Sequence, residues 1–166
     1  LIIGDVLLLE YGTTENSIWG HAAVPDVLAV GAIEAVSTDY DVIESFSSQG
    51  PVEILFPSPE TRAKPDITAI DGVSVTGAGG FTTPFFGTSA AAPHVAGLAA
   101  LLLDGLGSTA AQVRSALLEN ALDFGDSGFD TVFGAGRADV LQAAMDLNVA
   151  PQSTITKPST NEAVEE

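Results

Sequence analysis

The 166-residue sequence predicts an α/β fold built on a parallel sheet. Three observations point there. Short apolar runs recur between Gly, Pro and Asp, the pattern of strands buried on both faces. One segment, 89–104, is apolar on every side, as expected of a helix in the middle of a protein. Two later segments repeat apolar residues at helical spacing after turn-forming residues.

Taken in order, residues 5–11 and "VLAVGAI" at 27–33 read as buried strands. The opening "LIIGDVLLLEYG" lacks a basic flank, is broken by Gly4 and Asp5, and is too short to span a bilayer, so a strand is expected rather than a signal peptide. Beginning in a core strand without a methionine, the chain is expected to be part of something longer. "IESFSSQGP" at 43–51 reads as a strand end entering a turn at Gly50-Pro51. Residues 65–80 give two strand-like pieces and then a glycine loop, and helix 89–104 follows, with Gly97 and many alanines permitting close neighbours. A second helix is expected to start near Ser108, where Thr109 and Gln112 have capping-box spacing; Val113, Ala116, Leu117 and Ala121 mark its inner face and Gly125 its stop. The turn at 133–139 leads into a third helix with Val140, Leu141, Ala144 and Met145 on one face. Residues 1–147 therefore read as one domain portion, and 148–166, polar and acidic at the end, as a linker or tail.

Composition narrows the function. Twenty-two acidic residues against five Lys plus Arg give a formal charge of −17, which opposes nucleic acid and anionic membranes. No nucleic-acid partner and no membrane insertion are expected. The absence of Cys excludes disulfides, thiolate catalysis and Cys-ligated zinc.

"FFGTSAAAPHVAGLAALLL" at 85–103 places a single hydroxyl, Ser89, at the mouth of the apolar helix. Ser89 either caps that helix or is a nucleophile. The second role needs a base in reach and donors for the oxyanion, and the first turn of a helix offers unpaired N–H groups. Gly87 permits a sharp approach, and Pro93 falls near enough to the N-terminus to be tolerated. His94 is five residues on, roughly 500° around and roughly 7.5 Å along a helix, so it faces elsewhere. It is expected to be a core histidine bonded to a neighbouring loop. His21, in a loop before the 27–33 run, has nothing nearby to orient it. The residues thus offer a nucleophile and no base.

"GTSAAAPHVAG" resembles the serine motif of the subtilisin-like serine peptidases, G-T-S-x-A-x-P-H-V-A-G. "VLAVGAI", "ESFSSQGP", "KPDITAIDGV", "QVRSALLENA" and "FGAGRADVLQAA" resemble further segments of that family, in its order, over about residues 27–147. Ile70-Asp71 stands where the family usually has Pro. The resemblance implies a three-layer parallel sheet with helices on both faces, present here as the C-terminal part of the catalytic domain. It implies a serine endopeptidase acting on protein or peptide substrates, with Ser89 as acyl-forming nucleophile and its own N–H as one oxyanion donor. His94 matches the motif's structural histidine. The triad Asp and His belong to motifs expected in the upstream half of the same catalytic domain. Asn16 is the only candidate for the second oxyanion donor, although the family's Ala-Gly-Asn motif is absent and a turn asparagine is the alternative. No cofactor or catalytic metal is implied; a stabilising calcium ion is common in the family, but no loop here can be assigned to it. Location would be secreted or in the cell envelope.

Other readings remain. A sedolisin-like peptidase shares G-T-S-x-x-x-P, with a Glu base and an Asp in the oxyanion role; "HVAG" and "SFSSQGP" favour the subtilisin branch. An α/β-hydrolase elbow needs G-x-S-x-G, whereas this chain has Gly87-Thr88-Ser89-Ala90-Ala91. A non-catalytic relative kept for binding or structure is the alternative outside the enzyme class.

Overall fold

The computed structural model of the chain describes residues 13–148. The strand expected at 5–11 and the tail beyond Asn148 lie outside them. At the centre, β1 (Val30–Ile33) pairs in parallel with β4 (Ile67–Ile70), Val30 opposite Ile67 and Ile33 opposite Ile70. Ile43 bridges the free edge of β1, and Arg137 bridges β4 on its other side and then Leu122. A separate hairpin, β2 (Val52–Ile54) and β3 (Glu60–Arg62), is antiparallel.

Alternation along the central strands creates the core. Ala32, Ile67 and Ala69 join Ala91, Val95 and Leu102 of α1 (Thr88–Leu106), Val113, Ala116 and Leu117 of α2 (Ala110–Glu119), and Ala143 of α3 (Val140–Leu147). The alanines let α1 lie close to the sheet, as small residues at a contact do. Helix α2 begins on the predicted capping box: Thr109 Oγ1 accepts from the Gln112 amide, and Gln112 Oε1 accepts from the Thr109 amide. Asp139 caps α3 by accepting from the Leu141 and Gln142 amides.

Three expectations are corrected. Helix α2 stops at Glu119 with Asn120 as its cap, not at Gly125: the Asn120 side chain turns back onto the Ala116 carbonyl and closes the last turn first. On α3 the inner face is Val140, Ala143, Ala144 and Leu147, while Leu141 and Met145 are exposed. The largest difference concerns α1. It is apolar all round, yet only Ala90, Ala91, Val95 and Leu102 are buried, and Leu101 is 67% exposed. The described neighbours cover one side of it. By length and composition alone, with mean hydropathy 1.3, this helix could also cross a membrane.

A charged cluster joins these parts at the start of β4. The Lys64 ammonium, 2% exposed, donates to Asp66 Oδ2 at 2.5 Å and to the Val27 carbonyl at 2.6 Å. The Ala29 amide donates to the same carboxylate at 2.7 Å, and Arg114 of α2 donates to its other oxygen at 2.9 Å. Gly134 passes so near that a Cβ there would sit 2.5 Å from the Pro65 carbonyl oxygen, and its φ of 66° also suits glycine.

Removing one member of a buried ion pair strands the other charges. Asp66→Ala is expected to destabilise the chain by about 3–5 kcal/mol in equilibrium urea unfolding. Thr109→Ala, which removes one exposed cap, is expected to lower stability by only about 1 kcal/mol in the same assay.

Candidate active site

Beyond Ile70 the chain leaves β4 as a hairpin and returns as α1. Val73 and Phe85 exchange both backbone hydrogen bonds across this hairpin, at 3.2 and 2.8 Å. The Val75 amide donates to Thr83 Oγ1, and the Phe81 and Phe85 rings pack at a tilt of 43° with centroids 4.7 Å apart. The predicted glycine loop forms the tip. At the neck, the Gly87 amide donates to Asp71 Oδ2 at 2.6 Å, tying the last residue before α1 to the first residue after β4.

Gly87 is the N-cap of α1, with φ 122° and ψ 158°, a backbone state that other residues rarely adopt. Its carbonyl accepts from the Ala90 and Ala91 amides. Ser89 therefore lies inside the first turn and is exposed, and it does not cap the helix. Neither its hydroxyl nor its amide hydrogen-bonds to another described residue, so both are available to a ligand at the mouth of α1. Pro93, inside α1, lacks the N–H that would otherwise bond the Ser89 carbonyl.

His94 donates from Nδ1 to the Ala90 carbonyl at 2.8 Å. Its partner is its own helix, not the neighbouring loop that was expected, because a side chain four residues on reaches back along the same face. It lines a cleft of about 300 Å³ with Leu98, Arg137 and Val140. His21 is exposed in a short 3-10 turn, Gly20–Ala23. Asn16 has φ 54°, and its Oδ1 accepts from the Glu53 amide at 3.0 Å, so its side chain anchors β2. No hydrogen bond joins Asn16 or either histidine to Ser89 among the described residues. Among those residues no three His, Asp or Glu side chains converge as a metal site.

Sequence reasoning did not single out the two carboxyl groups beside this neck. Asp71 is fully buried, and its Oδ1 has no hydrogen-bond donor among the described residues. Glu44 faces it from the segment that pairs with β1. Burial, first, and then the charge of Asp71, contact with its side chain and the charge of Glu34 hold the Glu44 carboxyl above its usual 4.5. The signal was present in the sequence, since Ile70-Asp71 is where the chain departs from its resemblance.

A profile of the Subtilase family matches residues 11–136. The chain belongs to the subtilase family. Subtilisin DY of Bacillus licheniformis is 36% identical over 135 residues, covering 79% of this subtilase chain and 42% of the relative. The thermophilic serine proteinase of Bacillus sp. (strain AK1) is 34% identical over 142 residues, covering 84% and 31% respectively. The chain thus spans less than half the length of either curated relative. Among solved structures, the self-cleaved protease domain of PatA superposes with a TM-score of 0.60 at 31% identity, over 81% of this chain and 46% of that one. The prenylagaramide maturation protease PagA gives 0.59 at 30% identity, over 81% and 47%. The fold is accordingly subtilisin-like, with parallel strands and helices forming part of an α/β domain.

Two outcomes test this local geometry. Gly87→Ala puts a Cβ on backbone at φ 122°, and is expected to lower the melting temperature. Because the folded chain holds the Glu44 proton more tightly than the unfolded chain, its share of stability is complete below the usual 4.5 and is lost as pH rises through the raised value. Over that range the thermal stability of Glu44→Gln is expected to fall less with pH than that of the wild type.

Proposed function

We propose that this chain is the nucleophile-bearing part of a serine endopeptidase that hydrolyses protein or peptide substrates. The observation that carries the reading is Ser89 itself: an exposed hydroxyl in the first turn of α1, with neither hydroxyl nor amide engaged by a described residue. Ser89 Oγ attacks the scissile carbonyl carbon while its proton passes to a base. The Ser89 amide donates to the oxyanion. The C–N bond then breaks, the base protonates the leaving amine, and water releases the acyl group by the reverse sequence. None of these steps calls on a metal or cofactor.

The base is assigned to the upstream half of the same catalytic domain, outside this chain. The open side of α1 supports that assignment. Leu101, Leu103 and Leu106 of α1 are exposed, and a helix this apolar is stable in water only when neighbours cover it. Asn16 stays a candidate second oxyanion donor through Nδ2, because the Glu53 amide engages only its Oδ1. The residues beyond 147 are read as a linker or tail, and the location as extracellular, both from family resemblance.

The test is active-site labelling. In the full-length protein a fluorophosphonate is expected to modify Ser89, and Ser89→Ala is expected to abolish both labelling and peptide hydrolysis. Residues 1–166 alone are expected to label no faster than their Ser89→Ala form and to bind a hydrophobic dye that the full-length protein does not. A full-length protein whose Ser89 is never labelled is a non-catalytic member of the family.

A further inference from the structure

Two carboxyl groups, Asp71 and Glu44, lie at the neck beneath Ser89. Asp71 Oδ2 is occupied by the Gly87 amide. Asp71 Oδ1 is buried and lacks a donor among the described residues, which is costly for a charged group. The group turned toward Asp71 is the Glu44 carboxyl, and the other charged group facing Glu44 is Glu34, just beyond β1. The backbone fixes this encounter. The Glu44 amide donates to the Ala32 carbonyl and the Asp71 amide to the Ile33 carbonyl, so strand β1 holds both acids at its carboxyl end. Two ionised carboxylates in such a place repel, whereas one proton shared between them makes a strong charge-assisted hydrogen bond and supplies the missing donor.

We propose that Glu44 and Asp71 share one proton, and that the pair positions the nucleophile by tethering Gly87 at the start of α1. Glu44 carries the proton and donates it to Asp71 Oδ1. Asp71 accepts the Gly87 amide and fixes the turn from which Ser89 projects. Neither acid touches the reacting atoms; both act through Gly87. The pair occupies the point where Ile70-Asp71 replaces the family's usual Pro, a residue that could not supply this tether. The proposal rests on the peptidase reading for its catalytic consequence, but the shared proton itself does not.

The experiment uses the full-length protein and two readouts. The first is infrared spectroscopy with the glutamate side-chain carboxyl labelled with carbon-13. A protonated-carboxyl band is expected to persist well above the usual 4.5, to vanish in Glu44→Gln and to weaken in Asp71→Asn. The second is steady-state kinetics at fixed pH. Asp71→Ala is expected to lower kcat roughly 10- to 100-fold, the worth of a hydrogen bond to a charged group, with little change in KM. Asp71→Asn keeps an acceptor for the Gly87 amide and is expected to restore part of that loss. It also serves if Asp71→Ala fails to fold. Absence of the band in the wild type, or its survival in Glu44→Gln, overturns the shared proton. Asp71 variants that alter only the melting temperature overturn the positioning role. If the band is present but Ser89 is never labelled, the peptidase reading fails and the proton pair stands; if Ser89 is labelled without the band, the reverse holds.

Discussion

The fold depends on the Asp66 carboxylate. It receives an ammonium, a backbone amide and a guanidinium from three separate stretches of chain: Lys64 beside it, Ala29 before β1, and Arg114 in α2. Apolar packing brings sheet and helices together without fixing their register, because dispersion is not directional. A buried carboxylate is directional and intolerant of mismatch. It therefore sets where β1 starts relative to β4 and how α2 lies against both.

The opposite end of β4 uses an acid differently. Among the described residues, the donor that Asp71 accepts from is a backbone amide, that of Gly87, the residue that turns the chain into α1. Four strand residues separate a charge-neutralised clamp from an acid with an unsatisfied oxygen. The first arrangement is suited to rigidity. The second lies where the chain presents Ser89. Carboxyl groups gathered at the carboxyl ends of parallel strands fit the general tendency of α/β folds to place their chemistry there.

Much of this was legible in the sequence because the information was local. The Thr109–Gln112 capping box, the helix over 89–104 and a strand within 27–33 each follow from a few neighbouring residues, and the structure contains all three. What was not legible depended on distant partners. Leu141 and Met145 share helical spacing with Val140 and Ala144, but only packing against α1 and α2 decides which of them turns inward. Likewise His94 has a short path to the Ala90 carbonyl that spacing alone did not favour over a loop. For the site, the motif singled out Ser89, while the Asp71 tether required knowing that residues 71 and 87 meet across a hairpin.

The one-sided burial of α1 bears on when such a protein becomes dangerous to its neighbours. The helix that carries Ser89 is also the helix that leaves Leu101, Leu103 and Leu106 exposed. Under the function proposed for it, the elements that would cover these leucines are those that would bring the base. Closing the hydrophobic gap and arming the hydroxyl then become a single event. A half-made molecule would be sticky but harmless, and proteolytic capacity would appear only once the domain had closed around its central helix.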